Sequence, residues 1–145
     1  NTVIYYVYRL DTASAQAEKV VTEPATTANF GGLMEYLGAQ YDWPLKRNPD
    51  VLIQTVWRVA APLPEPVSIF LHFAATDGFP LSVSDGLNTP FDALAPGDAL
   101  VQWHWVEIPA SWPEGAHFRV GLYQLGGGQT RYLLPNGEDY FQFGP

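Results

Sequence analysis

The chain has 145 residues, 47% of them apolar and 15% charged, enough to bury one core without staples and too apolar or too thinly charged for disorder, a coiled coil or a helical bundle. Fifteen acids against seven bases give a formal charge of −8, with no basic cluster beyond Lys46-Arg47, which argues against nucleic acid and anionic membrane surfaces as partners. Glycine and proline number 13 each, aromatics reach 14% and cysteine is absent: a composition of short strands and tight turns, without disulfides or thiolate metal sites.

The first residue is Asn1 rather than Met. It reads as trimming by a signal or leader peptidase, or as excision from a longer chain, and points to an extracellular or cell-surface setting. Val3, Ile4, Tyr5, Tyr6, Val7 and Tyr8 form an unbroken run of β-branched and aromatic side chains, too short for a buried helix and suited to a strand covered on both faces. From 11 to 29 the chain is small, polar and rich in Ala and Thr, a linker or a loosely packed edge. The division expected is therefore an N-terminal strand over 1–10, a linker over 11–29 and a sandwich domain over 30–145.

After Phe30-Gly31-Gly32, strand signals are dense. A strand over 33–41 precedes a turn region with Pro44, Asn48 and Pro49. Over 51–59, Val51, Ile53, Thr55, Trp57 and Val59 alternate with Leu52, Gln54, Val56 and Arg58, the period of two of a sheet with one face buried. Over 67–73, Val67, Ile69, Leu71 and Phe73 alternate with Ser68, Phe70 and His72. Asp77-Gly78 closes a hairpin into 79–83. A Gly- and Pro-bearing loop over 85–98 holds the one candidate helical turn, around 91–94. Further strands are expected over 100–108, 118–125, 130–134 and 140–143, separated by Pro113-Glu114-Gly115, Gly126-Gly127-Gly128 and Pro135-Asn136-Gly137. The pattern predicts an all-β antiparallel sandwich, Ig-like or jelly-roll, of eight or nine strands. No stretch approaches the roughly 18 apolar residues of a spanning helix.

The segments FGGLMEYLGAQYD (30–42), LIQTVWRVAAPLPEPVSIFLHFAATDG (52–78) and DGLNTPFDALAPGDALVQWHWVEIPASWPEGAHFRVGLYQLGGGQTR (85–131) carry a Phe-Gly start, an early Trp-Arg, a Phe-x-His before an Asp-Gly turn, a Pro-Gly-Asp turn, and a Pro-x-Gly leading to Val-Gly-Leu-Tyr. In these the chain resembles the soluble β-sandwich domain at the C-terminal, extracytoplasmic end of membrane glycosyltransferases of Chloroflexi-type bacteria. The resemblance implies the fold; it brings no catalytic residues with it. Here the domain follows the 3–8 strand and its linker instead of a multi-pass membrane region, which implies a different host architecture.

Catalysis has little to stand on. His72, His104 and His117 fall on separate expected strands, and a triad with Ser111 and Asp98 lacks the G-x-S-x-G elbow. The plentiful acids sit mostly in turns, where Asp caps backbone. Asp77, Asp85, Asp92 and Asp98 fall in loops able to share one end of a sandwich, as calcium ligands do. Their spacing matches no compact calcium motif, so the turn-former reading takes precedence. Trp103 and Trp105, two apart, share a face of one strand and with Trp112 make a candidate sugar-stacking surface, near which Trp57 and Trp43 are expected. Tryptophans also fill sandwich cores, and that reading comes first, with Trp112, at a turn, the one expected to be exposed.

The terminal strand is the most informative feature. Through a linker of roughly 20 to 30 Å reach it folds back onto its own sheet or enters a neighbour's open edge, and a heterologous exchange builds a fibre. The function expected is a non-enzymatic extracellular or cell-surface module for assembly, without cofactor, whose partner is a further copy or another surface subunit. Carbohydrate binding through exposed aromatics is the alternative.

Overall fold

The computed structural model describes residues 7–8, 28–41 and 50–144. Residues 3 to 6 of the expected assembly strand, the segment 9–27 and Trp43 lie outside them. The described strands are β1 (Val7–Tyr8), β2 (Ala28–Phe30), β3 (Met34–Gln40), β4 (Val51–Val59), β5 (Val67–Ala74), β6 (Pro80–Val83), β7 (Ala99–Val106), β8 (His117–Gln124) and β9 (Phe141–Phe143), with one 3-10 turn at Phe91–Ala93. They form two antiparallel sheets, ordered β1-β7-β4-β3-β2 and β6-β5-β8-β9. The protein is an all-β sandwich, and no helix among the described residues is long and apolar enough to cross a membrane.

Local chemistry accounts for most boundaries. Gly31 and Gly32 take positive φ of 62° and 73°, and the Leu33 amide donates to the Phe30 carbonyl at 3.0 Å, a tight turn within the loop 31–33 that joins Phe30 to its partner Met34. Ala28 and Asn29, read from sequence as the end of a linker, are thereby drawn into β2 against Tyr36 and Glu35. In β3 the pairing with β4 slips between Tyr36 and Gly38. The extra residue, Leu37, reverses the inward parity, so Met34 and Tyr36 face the core before it and Ala39 and Tyr41 after it.

The segment 130–134 departs from the expectation of a strand. It makes a single bridge, Arg131 opposite Tyr123, after which the Leu134 amide turns back to the Glu138 carbonyl at 2.8 Å. Side-chain bonds compete with the ladder here. The Tyr132 hydroxyl donates to Glu65 Oε1 at 2.8 Å and Gln124 Nε2 donates to the same oxygen at 2.7 Å, anchoring this stretch to the Pro-rich crossover 60–66.

The core lies between the sheets. Trp57, fully buried, has the rings of Tyr36 and Phe30 at 5.4 and 5.7 Å, and Phe141 and Phe143 of β9 reach Tyr36 at 5.2 and 6.1 Å. These contacts stack β9 over β3, which sets β6, at the opposite margin of its sheet, on the side of β7 and β1. The Tyr36 hydroxyl is buried without a hydrogen-bond partner among the described residues. Burial, with a smaller push from Tyr41, raises its pKa well above the ordinary 10.

A buried hydroxyl without a partner costs about 1 to 3 kcal/mol of desolvation. Tyr36→Phe removes that cost while keeping the ring contacts, so it is expected to leave stability unchanged or raise it by about 1 kcal/mol, read as the urea midpoint. A loss of more than that amount shows that the hydroxyl is bonded in solution.

Candidate functional site

β7 is the strand around which the candidate features gather. Its whole length pairs with β4 in an unbroken register from Val51–Val106 to Arg58–Ala99. That register, with Ile53, Thr55 and Trp57 of β4 facing the core, turns Leu100, Gln102, His104 and Val106 inward as well. Trp103 and Trp105 therefore point away from the core, opposite Gln54 and Leu52. The reading that places them in the core is reversed: Trp103 is half-buried and Trp105 is 52% exposed. Trp57 lies on the other face of the sheet. Trp112, expected to be the exposed one, packs on Phe73 and Phe118 with centroids at 5.0 and 5.8 Å. The three candidate sugar-stacking residues thus do not share one surface.

Two polar residues can occupy the inward face of β7 because each is bonded. Thr55 Oγ1 lies 2.9 Å from His104 Nε2, Trp57 Nε1 donates to Thr55 Oγ1 at 2.9 Å, and His104 Nδ1 lies 2.8 Å from the Ser84 carbonyl. The carbonyl only accepts, so Nδ1 carries the proton of a neutral imidazole; Nε2 then accepts from the Thr55 hydroxyl, which accepts from Trp57. Beside this chain, Gln102 Oε1 accepts the Asn88 amide at 2.9 Å. Burial lowers the His104 pKa from 6.5 to about 4, against a smaller upward pull from the Ser84 carbonyl and Asp85.

The triad drawn from sequence does not assemble among the described residues. His104 is enclosed in the core, His117 accepts from Arg119 Nε at 3.0 Å, and Asp98 Oδ2 accepts the Ala95 amide at 2.8 Å. The calcium candidates also stay apart. Asp77 accepts the Phe79 amide at 2.9 Å, Asp92 lies in the first turn of the 3-10 segment, and Asp85 lies near His72 and Tyr123. No group of three His, Cys, Asp or Glu placed to hold a metal occurs among the described residues.

At the outward edge of β7, Val7 pairs with Leu100 and Tyr8 with Ala99, antiparallel. On the same side of the sandwich the sequence reading missed an apolar stripe: Phe79, Leu81 and Val83, on and next to β6, are 66%, 46% and 58% exposed. Their alternation reads as that of any half-buried strand, and nothing local tells which half is left uncovered. Comparison of the chain with family models, with curated proteins and with solved structures finds no match.

The depressed pKa of His104 has a direct consequence for acid stability. Unfolded, the imidazole takes up a proton below about 6.5; folded, it resists until about 4. Its contribution to stability is complete above pH 6.5 and falls away as the pH drops from 6.5 to 4, by up to about 3 kcal/mol. The stability difference between the wild type and His104→Gln, from urea midpoints, is expected to shrink by that amount between pH 7 and 4. A difference independent of pH refutes the assignment of a neutral, bonded imidazole.

Proposed function

We propose that the chain is a non-enzymatic, extracellular or cell-surface module that works in structural assembly, by pairing the strand at residues 3 to 8 with the outward edge of β7. The observation that carries this is the pairing of Val7 and Tyr8 with Leu100 and Ala99. It supports β7 as the acceptor edge, because an edge that pairs with a terminal strand of its own chain can pair with the same strand from a neighbour by the same hydrogen bonds. The other margins are poorer acceptors. β2 and β9 have three residues each. β6 carries Pro80 and a register shift opposite Phe73 and Ala74, both of which obstruct strand addition.

The exposed Phe79, Leu81 and Val83 support the same reading. An uncovered apolar stripe beside a strand-accepting edge is the kind of surface that an adjoining subunit buries. The extracytoplasmic setting is supported by the resemblance of residues 30 to 131 to the domain of membrane glycosyltransferases. Carbohydrate binding at the outer face of β7 is the second reading, favoured by the exposure of Trp105.

The chain has no cysteine, so introduced thiols report cleanly. Facing Cα atoms of an antiparallel pair are about 4.5 to 5.5 Å apart, within reach of a disulfide. Tyr8→Cys and Ala99→Cys chains, mixed under oxidising conditions, are expected to give a disulfide-linked heterodimer. Deletion of residues 1–10 is expected to lower the mass measured by light scattering. Formation of only an intramolecular bridge in the double variant, with an unchanged mass on deletion, overturns assembly by strand pairing.

A further inference from the structure

The outer face of the second sheet holds a cluster that assembly leaves unused. Phe70 of β5 points away from the core, yet is only 1% exposed. Its register partner on β8 is Gly121, where a Cβ would come within 2.4 Å of the ring, so the absence of a side chain lets the ring lie across the neighbouring strand. The Arg131 guanidinium sits over that ring at 4.3 Å and pairs with Asp139 at 3.3 Å. The His72 ring packs beside Phe70 at 4.9 Å. These groups, with Asp85, Tyr123 and Gln129, line a cleft of about 170 Å³. It adjoins a second cleft of about 420 Å³, which shares Asp85 and Tyr123 and is also lined by Ser68, Thr89 and Phe91.

We propose that this cleft binds a neutral, hydroxyl-rich ring: a single pyranose or the terminal unit of a glycan, with further units running into the larger cleft. The size fits one ring, well below the roughly 300 to 1,000 Å³ of sites that enclose drug-sized ligands. The polar groups are disposed for hydroxyls. Gly86 pairs with Ile69 on one side and Arg131 with Tyr123 on the other, so Asp85 and Arg131 flank the β5–β8 pair. An acceptor and a donor thus stand at opposite margins.

Asp85 has capacity to spare. Its two contacts are long, 3.5 Å to His72 Nε2 and 3.3 Å from the Tyr123 hydroxyl, while a carboxylate offers about four lone-pair sites. Arg131 is already compensated by Asp139, so the cleft has no unbalanced cation to select an anionic ligand. Phe91 and Tyr123 supply flat surface for the C–H face of a sugar. Gln129, the described non-glycine residue with positive φ, at 57°, follows three glycines and brings an amide to the lip, where glycine would bring none.

This site depends neither on strand pairing nor on the outward tryptophans, and its test is separate from theirs. The full chain, labelled with ¹⁵N, is titrated with glucose, galactose, mannose, xylose and N-acetylglucosamine, each in large excess. At least one sugar is expected to give saturable shifts centred on the amides of Gly86, Tyr123, Gln129 and Arg131. Asp85→Asn and Gln129→Ala, both retaining the dispersed spectrum of the folded chain, are expected to weaken that binding by about tenfold or more. The proposal is overturned if no sugar gives a saturable shift, if the shifts centre on Trp103 and Trp105, if glycine or inorganic phosphate gives the same shifts as the sugars, or if neither variant weakens binding.

Discussion

The hydrogen-bonded chain that runs from Trp57 through Thr55 and His104 to the Ser84 carbonyl is the constraint on which the rest of the architecture leans. An apolar core tolerates sliding of one sheet over another, because burial energy is non-directional. This chain does not. Each bond in it has a fixed donor and acceptor, and a shift of β7 by one residue against β4 would leave a buried imidazole and hydroxyl unpaired while turning Trp103 inward. It also ties the first sheet to the segment just after β6, and so fixes which margin of one sheet lies over which margin of the other.

Fixing β7 in this way fixes the chemistry of both its surfaces. The strand presents to the interior two polar residues that are fully engaged, and to the exterior two tryptophans that the core does not need. Its other edge, paired with β1 at Ala99 and Leu100, lies on the side where β6 leaves Phe79, Leu81 and Val83 uncovered. Natural proteins blunt sheet edges against strand addition. Here β6 is blunted by Pro80 and a bulge, while β7 continues regularly from Ala99 to Val106.

The fold was legible in the residues because its signals are local. Alternation over Val51–Val59 and the turn glycines place strands without knowledge of their partners, and the strand at Val51–Val59 has the bounds that its pattern implies. What escaped was everything that depends on register. In Leu100-Val101-Gln102-Trp103-His104-Trp105-Val106 the apolar rule places the tryptophans inside. The structure inverts it because Thr55, Ser84 and Asn88, remote in sequence, satisfy His104 and Gln102. The cleft at Phe70 was hidden for the same reason. Alternation over 67–73 places Phe70 on the side of Ser68 and His72, but only its pairing with Gly121 shows that its ring lies flat there as the floor of a cleft. The segment 130–134, with strand-like residues, was lost to competing side-chain bonds to Glu65.

For the proposed assembly, charge sets the terms on which copies would meet. A formal charge of −8 makes two chains repel at long range, yet at physiological ionic strength that repulsion decays over about 8 Å. The contacts of strand pairing and of an apolar stripe act at much shorter distance, where charge is screened and backbone hydrogen bonds and buried area decide the outcome. In the proposed assembly, pairing within one chain and pairing between chains make the same hydrogen bonds, so the balance between them follows from the effective concentration of the strand at its own edge, against the concentration of neighbours. A high local concentration of copies would shift the balance outward, and in the proposed assembly burial of Phe79, Leu81 and Val83 against an adjoining copy would be a gain that pairing within the chain does not supply.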